Sequence, residues 1–160
     1  MDRVSCAQNG KDATSICIPQ YKEAFFRLMS SGGMLYFGDC KWTDAEVKQL
    51  AAALQCAHAE GATSQADDLR LMNNQLTDAA LPPLVEMLKA GAMPCLQTLS
   101  LGGNQLTDAA LPILVEMLKA GAVPCLGEEL YLDGNSEIGD EAAKEALKAA
   151  GKERGVEVYF

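Results

Sequence analysis

A segment of thirty residues occurs twice in succession in this chain. Residues 69–98 and 99–128 share the pattern Leu-x-Leu-x-x-Asn-Gln-Leu-Thr-Asp-Ala-Ala-Leu-Pro-x-Leu-Val-Glu-Met-Leu-Lys-Ala-Gly-Ala-x-Pro-Cys-Leu. A repeat of this length is one supersecondary unit that cannot bury its apolar side alone, so successive units must stack to form a core. The sequence therefore predicts a solenoid built from similar, adjacent units.

Weaker copies of the pattern lie on both sides of these twin repeats. They keep its apolar and asparagine positions at Leu35, Phe37, Cys40 and Trp42 upstream and at Leu130, Leu132, Asn135 and Ile138 downstream. Val156-Glu157-Val158 looks like one further strand that closes the stack. We therefore expect a single domain, with an N-terminal arm and capping helix at 1–33, four repeats over 34–155 that start near residues 35, 69, 99 and 130, and a C-terminal capping strand at 156–160.

The leucines recur in phase with one asparagine, and this pattern resembles the long, ribonuclease-inhibitor-like class of leucine-rich repeat. Cys40 fits because the leucine-rich repeat template accepts either asparagine or cysteine at that position. The resemblance covers residues 34–158. It implies an α/β fold, a short right-handed horseshoe arc with parallel inner strands, outer helices, about four repeats and terminal caps. It also implies a protein-binding role, although a fold alone does not establish function.

Local patterns predict the same units without the resemblance. Apolar residues alternate in Leu69-Arg70-Leu71, which is the period of a strand with one buried face. Between Leu81 and Leu88 they recur at three- and four-residue spacing, as on the buried face of a helix. N-caps are expected at Thr43, Thr77 and Thr107, each followed by an aspartate in the first turn. Buried amides need partners, so backbone hydrogen bonds in the turns are expected for Asn74, Asn104 and Asn135.

The chain is acidic, with 22 Asp and Glu against 13 Lys and Arg and a net charge of −9. This charge argues against nucleic acid as a partner, because phosphates are neutralised by Lys and Arg. It favours a protein partner with a basic or amphipathic surface. No apolar run approaches the length of about 18 residues that a membrane span needs, and no secretory signal is visible, so we expect no membrane association.

The repeat register accounts for three of the six cysteines, Cys40, Cys95 and Cys125. Equivalent side chains in stacked repeats point the same way, which is poor geometry for a disulfide. We expect these three to be buried free thiols, which predicts a reducing, cytoplasmic location, with import into an organelle left open. Cys6 and Cys17 flank the N-terminal arm, and a bridge between them is also left open.

The sequence does not contain a pattern typical of catalysis. His58 is the only histidine, and no Cys-x-x-Cys pair accompanies it, which removes most zinc arrangements. Residues 133–137 resemble the opening of a calcium loop, but Ile138 occupies the place of the required glycine. We therefore predict no catalytic residues, no metal site, no cofactor and no enzymatic activity.

The twin repeats differ at seven of their thirty positions, and these differences point to one surface. Three changes lie on the outward face or at the exit of the strand; they are Arg70 to Ser100, Met72 to Gly102 and Asn73 to Gly103. Positions expected on the outer side of the repeat are unchanged, namely Gln75, Asp78, Glu86 and Lys89. We interpret the concave side as fitted to a partner, with drift at solvent-exposed positions as the alternative.

Strand alternation then predicts the residues of a partner-binding concave face. These are Tyr36, Asp39, Asp68, Arg70, Met72, Ser100, Gly102, Glu129, Tyr131 and Asp133, with Gly38 and Glu157 beside them. Tyrosine and arginine are enriched at binding hot spots, although Tyr36 and Tyr131 could instead pack against the two caps. We predict a non-catalytic protein–protein interaction module. The alternatives are a structural or accessory subunit docked in a larger assembly through its caps, and an enzyme inhibitor, which the short arc disfavours.

Overall fold

A computed structural model describes Arg27 and residues 32–121 and 128–160. Their elements are β1 (Gly33–Tyr36), α1 (Asp44–Ala59), β2 (Ala66–Arg70), a 3-10 turn (Asp78–Ala80), α2 (Leu81–Lys89), β3 (Thr98–Ser100), α3 (Ala110–Lys119), β4 (Glu129–Tyr131), α4 (Glu141–Arg154) and β5 (Glu157–Tyr159). These strands form one open parallel sheet in chain order. The predicted α/β fold is confirmed, and it is consistent with a short leucine-rich repeat arc. None of the helices described is long and apolar enough to cross a bilayer.

Leucines hold the strands in register. The first core leucines of the repeats pair across the sheet in the order Leu35, Leu69, Leu99 and Leu130, followed by Val158. The second leucines, Leu71, Leu101 and Leu132, are also buried in the same cluster, with exposures of 0%, 0% and 1%. The helices contribute the other side of this core, for example through Leu84 and Leu114. Stacking of the repeats has therefore produced one continuous interior, as the repeat pattern requires.

The repeat asparagines join each turn to its neighbour. The side-chain amide of Asn104 donates to the backbone oxygens of Leu101 and Leu71, at 2.9 and 3.0 Å. Its side-chain oxygen accepts from the backbone N–H of Leu76, at 3.1 Å. Asn74 and Asn135 make equivalent contacts with their own turns and with the preceding repeats. The predicted backbone hydrogen bonds are confirmed, and each buried amide is satisfied on both of its polar atoms.

A second set of hydrogen bonds corrects one expectation. Asp78 was expected to be exposed on the outer side, yet it is half-buried and its carboxylate accepts from the backbone and hydroxyl of Thr107, at 2.9 and 2.6 Å. Asp44 binds Thr77 in the same way. The aspartate that follows each capping threonine faces the next repeat in the stack, because the starts of successive helices lie side by side. Its constancy between the twin repeats therefore has a structural cause.

The predicted threonine cap is confirmed for α1 but is wrong for α2 and α3, whose N-cap residues are Ala80 and Ala109 and make no side-chain capping hydrogen bond. Thr43 and Glu46 form a capping box at the start of α1, in which the Thr43 side chain binds the first turn and the Glu46 carboxylate accepts from the Thr43 backbone. The hydroxyl and backbone of Thr43 lower the pKa of Glu46 through these hydrogen bonds. Thr77 caps the 3-10 turn that precedes α2, and Thr107 accepts from the backbone N–H of Ala109.

The expected burial of the cysteines is wrong for the two that can be described. Cys40 and Cys95 are free thiols, as predicted, but Cys40 is exposed and Cys95 is half-buried. Cys40 lies in the first repeat of the described stack, so no earlier described turn covers it, and its Sγ donates to the Gly38 oxygen at 3.3 Å. Cys6, Cys17, Cys125 and most of the predicted N-terminal arm and capping helix lie outside the described residues.

Candidate functional site

The side of the sheet opposite the core leucines carries side chains in regular rows. We call this side the open sheet face; it is the face predicted to be concave. The row between the two core leucines consists of Tyr36, Arg70, Ser100, Tyr131 and Tyr159, which the strand register places side by side. Large side chains therefore lie on the outer strands of this row, and the smallest one lies on the central strand, β3.

The small residues of β3 form the floor of a groove with a volume of about 470 Å³. We call it the β3 groove. Its floor consists of Thr98, Ser100, Gly102 and Gly103. The β2 side contributes Arg70, Met72 and Asn73, and the β4 side contributes Glu129, Tyr131, Asp133 and Gly134. The volume lies within the range of about 300–1,000 Å³ that is typical of ligand-binding clefts.

Two glycines keep the floor of the groove low. A Cβ atom on Gly102 would lie 2.9 Å from Oδ1 of Asp133 and 3.0 Å from its backbone oxygen. Gly103 has a φ of +63°, and a Cβ atom there would lie 2.2 Å from Oδ1 of Asn73. The side chains of Asn73 and Asp133 thus overhang the glycines from opposite sides, and a larger residue at either position would meet one of them.

The β2 side of the groove is electrostatically balanced. Nε of Arg70 donates to Oδ2 of Asp68 at 2.9 Å, and the Asp68 side chain is only 17% exposed. The other carboxylate oxygen of Asp68 is buried, and no hydrogen-bond partner for it is found among the described residues. On the floor beside them, the Ser100 hydroxyl donates to the Met72 sulfur at 3.6 Å. The carboxylate of Asp68 therefore neutralises most of the positive charge with which Arg70 could attract an anion.

The β4 side combines stacked aromatic rings with carboxylates. Tyr131 and Tyr159 stack with a centroid distance of 4.8 Å and an interplanar angle of 13°. Hydrogen bonding to Glu129 raises the pKa of Tyr131, with smaller contributions from burial and from the negative charge of Glu129 and Asp133. Hydrogen bonding to Glu157 raises the pKa of Tyr159 to about 12. Both phenols therefore stay neutral at physiological pH, and this side presents apolar rings edged by negative charge.

The sequence model of one protein family, described as Leucine Rich repeat, matches residues 92–111. This stretch runs from the loop before β3, through β3 and its turn, into the start of α3. It contains the buried leucines and the asparagine that form the stack described above. This match supports the leucine-rich repeat architecture that the sequence predicts. Leucine-rich repeat domains generally mediate protein–protein interaction and are typically non-catalytic. No curated protein matches the chain.

The stacked repeats bring most of the predicted concave-face residues together. Those that line the β3 groove are Arg70, Met72, Ser100, Gly102, Glu129, Tyr131 and Asp133. Three of the predicted residues lie towards the β1 side of the open sheet face and do not line the β3 groove; they are Tyr36, Asp39 and Asp68. The ring of Tyr36 lies over Gly38, and its hydroxyl donates to Asp39 at 3.3 Å. Tyr131 contacts the predicted C-terminal cap through Tyr159, and it also lines the groove.

Some residues of the open sheet face were not predicted as partner-binding candidates; they are Asn73, Thr98 and Gly134, which line the groove, and Tyr159. Thr98 pairs with Asp68 on one side and with Glu129 on the other, so it belongs to the outward row that precedes the first core leucine. One residue is inserted before Leu130, and a comparison at a fixed spacing of thirty therefore matched Thr98 with Glu128. The Glu-x-Tyr pattern at 129–131 and again at 157–159 is the signal that could have identified Tyr159.

Proposed function

We propose that this leucine-rich repeat protein is a non-catalytic adaptor that binds another protein through the open sheet face. One observation carries the proposal. Three of the changes between the twin repeats involve six residues, and all six line the β3 groove; they are Arg70, Met72, Asn73, Ser100, Gly102 and Gly103. Variation between otherwise similar repeats is thus concentrated around one recess, as expected of a surface adapted to a partner.

The outer surface of the repeats supports this interpretation. Gln75, Glu86 and Lys89 are exposed, and each is the same residue in the next repeat. Drift at exposed positions alone would be expected to change such residues as readily as those of the groove. Asp78 is also unchanged between the twin repeats, but its hydrogen bonds to Thr107 are a structural reason for that, so it does not support this interpretation.

The charge of the surface supports a partner with a basic or amphipathic surface rather than a nucleic acid. The open sheet face carries Asp68, Glu129 and Asp133 around the single groove cation Arg70, within a chain of net charge −9. Phosphates would be repelled by this arrangement. Free thiols at Cys40, Cys56 and Cys95 support our proposal of a reducing, cytoplasmic location.

Affinity capture with matched charge reversals tests the proposed binding face. The groove variant is Glu129→Lys with Asp133→Lys, and the control is Glu86→Lys with Glu153→Lys on the exposed faces of α2 and α4. We expect the groove variant to lose protein partners that the wild type and the control retain. Retention of the same partners by the groove variant would exclude the open sheet face as the binding surface.

A second candidate is an accessory subunit docked through its helices, and it rests on a separate cleft. A groove of about 500 Å³ between α3 and α4 is lined by Leu111, Pro112, Val115, Glu116, Lys119, Ala143 and Ala146. The variant Ala146→Glu would place a charge in this cleft without touching the sheet. Loss of partners with Ala146→Glu, together with retention in the groove variant, would favour docking through the helices.

A further inference from the structure

The β3 groove is one strand wide, and this width limits what can enter it. Its two sides belong to β2 and β4, which flank β3 directly. Neighbouring strands lie about 4.8 Å apart, so the backbones of the two sides are about 10 Å apart. The side chains of Arg70 and Tyr131 narrow this space further. An α-helix with its side chains is about 10–12 Å across and cannot descend between them, whereas an extended chain can.

The groove runs in the direction of β3. Its floor follows one stretch of chain from Thr98 to Gly103. At the end of the floor, the side chains of Asp133 and Asn73 overhang Gly102 and Gly103, so an occupant meets the polar atoms of these two side chains there. An extended segment that lies along β3 would therefore contact the full length of the floor, whereas one that crosses the strands would meet the raised side chains of β2 and β4.

The two sides of the groove select the charge of the occupant. Arg70 is already paired with Asp68, so an acidic segment would have to compete with an internal carboxylate. Glu129 and Asp133 form no ion pair with any residue that the structure describes. The neutral ring of Tyr131 lies between them in sequence and offers a face on which a cation or its aliphatic stem can rest.

We propose that the β3 groove binds an extended segment of a partner protein that lies along β3 and directs a lysine or arginine side chain to Glu129 and Asp133. This inference rests on the proposed function and specifies the chemistry of the partner. The segment runs along the floor from Thr98 towards Asn73 and Asp133, and its apolar side chains contact Met72 and Tyr131. The cation supplies the charge that the β4 side lacks, and an arginine can bind a single carboxylate through two parallel hydrogen bonds.

Selection from a displayed library of random dodecapeptides, carried out with the full chain, tests this inference. We expect the selected peptides to share a lysine or arginine and to lack the three- and four-residue apolar spacing of a helix. Their affinity is measured by fluorescence anisotropy against three variants. Glu129→Gln and Asp133→Asn should each weaken binding about tenfold, as expected for loss of a hydrogen bond to a charged group. The control Glu86→Gln, outside the groove, should leave the affinity unchanged.

A fourth variant separates failure of this inference from failure of the proposed function. Thr98→Trp fills the groove from its floor without changing any charge. The selected peptides could lose affinity for Thr98→Trp and keep it for Glu129→Gln and Asp133→Asn. That result would overturn the inference that the occupant is a basic segment. It would still support the open sheet face as the binding surface. Acidic or helical consensus peptides would overturn the inference in the same way. Failure to select any peptide, or peptides insensitive to all groove variants, would overturn both proposals.

Discussion

The carboxylate of Asp78 accepts hydrogen bonds from both the backbone N–H and the hydroxyl of Thr107, one repeat further along the chain. Asp44 and Thr77 are related in the same way, and Asp108 accepts from the backbone of Gly139 and Asp140. A row of carboxylates therefore joins the starts of successive helices. Together with the buried asparagines, it fixes the position of each repeat on its neighbour and so sets the spacing of the strands across the open sheet face.

Removal of this contact should destabilise the stack. We expect Asp78→Ala to lower the free energy of unfolding by about 2 kcal/mol, since hydrogen bonds to charged groups contribute about 1.5–3 kcal/mol and Asp78 is partly exposed. Urea unfolding measures the change, and the exposed Gln75→Ala serves as the control, with an effect within about 0.5 kcal/mol. A double-mutant cycle with Thr107→Val should reveal a coupling energy of about 1 kcal/mol. Additive effects in that cycle would contradict the assigned contact.

The sequence could predict the stack because its signal lies in repeated spacing. Leucines in phase determine which residues face the core, and the strand alternation then assigns the opposite residues, such as Arg70, Ser100 and Tyr131, to the open sheet face. The asparagine contacts were predictable for the same reason, since a buried amide in a turn has backbone as its nearest partner.

Contacts between repeats were harder to predict. Within one repeat, Asp78 looks like an acidic residue in the first turn of a helix, and nothing in its local sequence indicates a partner that is 29 positions away. The single inserted residue before Leu130 hid the alignment of Thr98 with Glu129. The exposure of Cys40 depends on what covers the first repeat, which is a property of the stack and not of the repeat itself.

Substitution of Gly103 on the groove floor should lower the stability of the protein more than substitution of a glycine outside the groove. We expect Gly103→Ala to cost about 1–2 kcal/mol, because a side chain at a φ of +63° is strained and would also meet Asn73. Gly139→Ala is the matched control, since nothing lies within 4 Å of a Cβ atom there. Thermal unfolding of both variants measures the difference. Equal stability of the two variants would show that the groove floor does not require glycine.

Titration of Tyr159 should report its contact with Glu157. The hydrogen bond raises the pKa of this phenol to about 12 from the ordinary value of 10.0. Because the folded pKa is the higher one, the stabilisation is fully present below pH 10 and is lost as the pH rises towards 12. We expect Glu157→Gln to return the pKa towards 10, as measured by NMR of ¹³C-labelled tyrosine at high pH. An unchanged titration in that variant would exclude Glu157 as the cause.

The central claim is that the differences between the twin repeats serve binding at the β3 groove. Its most direct test converts the groove residues of one repeat to those of the next, in the variant Arg70→Ser, Met72→Gly and Asn73→Gly. The control, Pro83→Ile, makes the corresponding conversion in α2. Affinity capture followed by mass spectrometry then compares both with the wild type, after circular dichroism has shown that they are folded. We predict that the triple variant loses protein partners that Pro83→Ile keeps; the same partners bound by a folded triple variant would contradict the account.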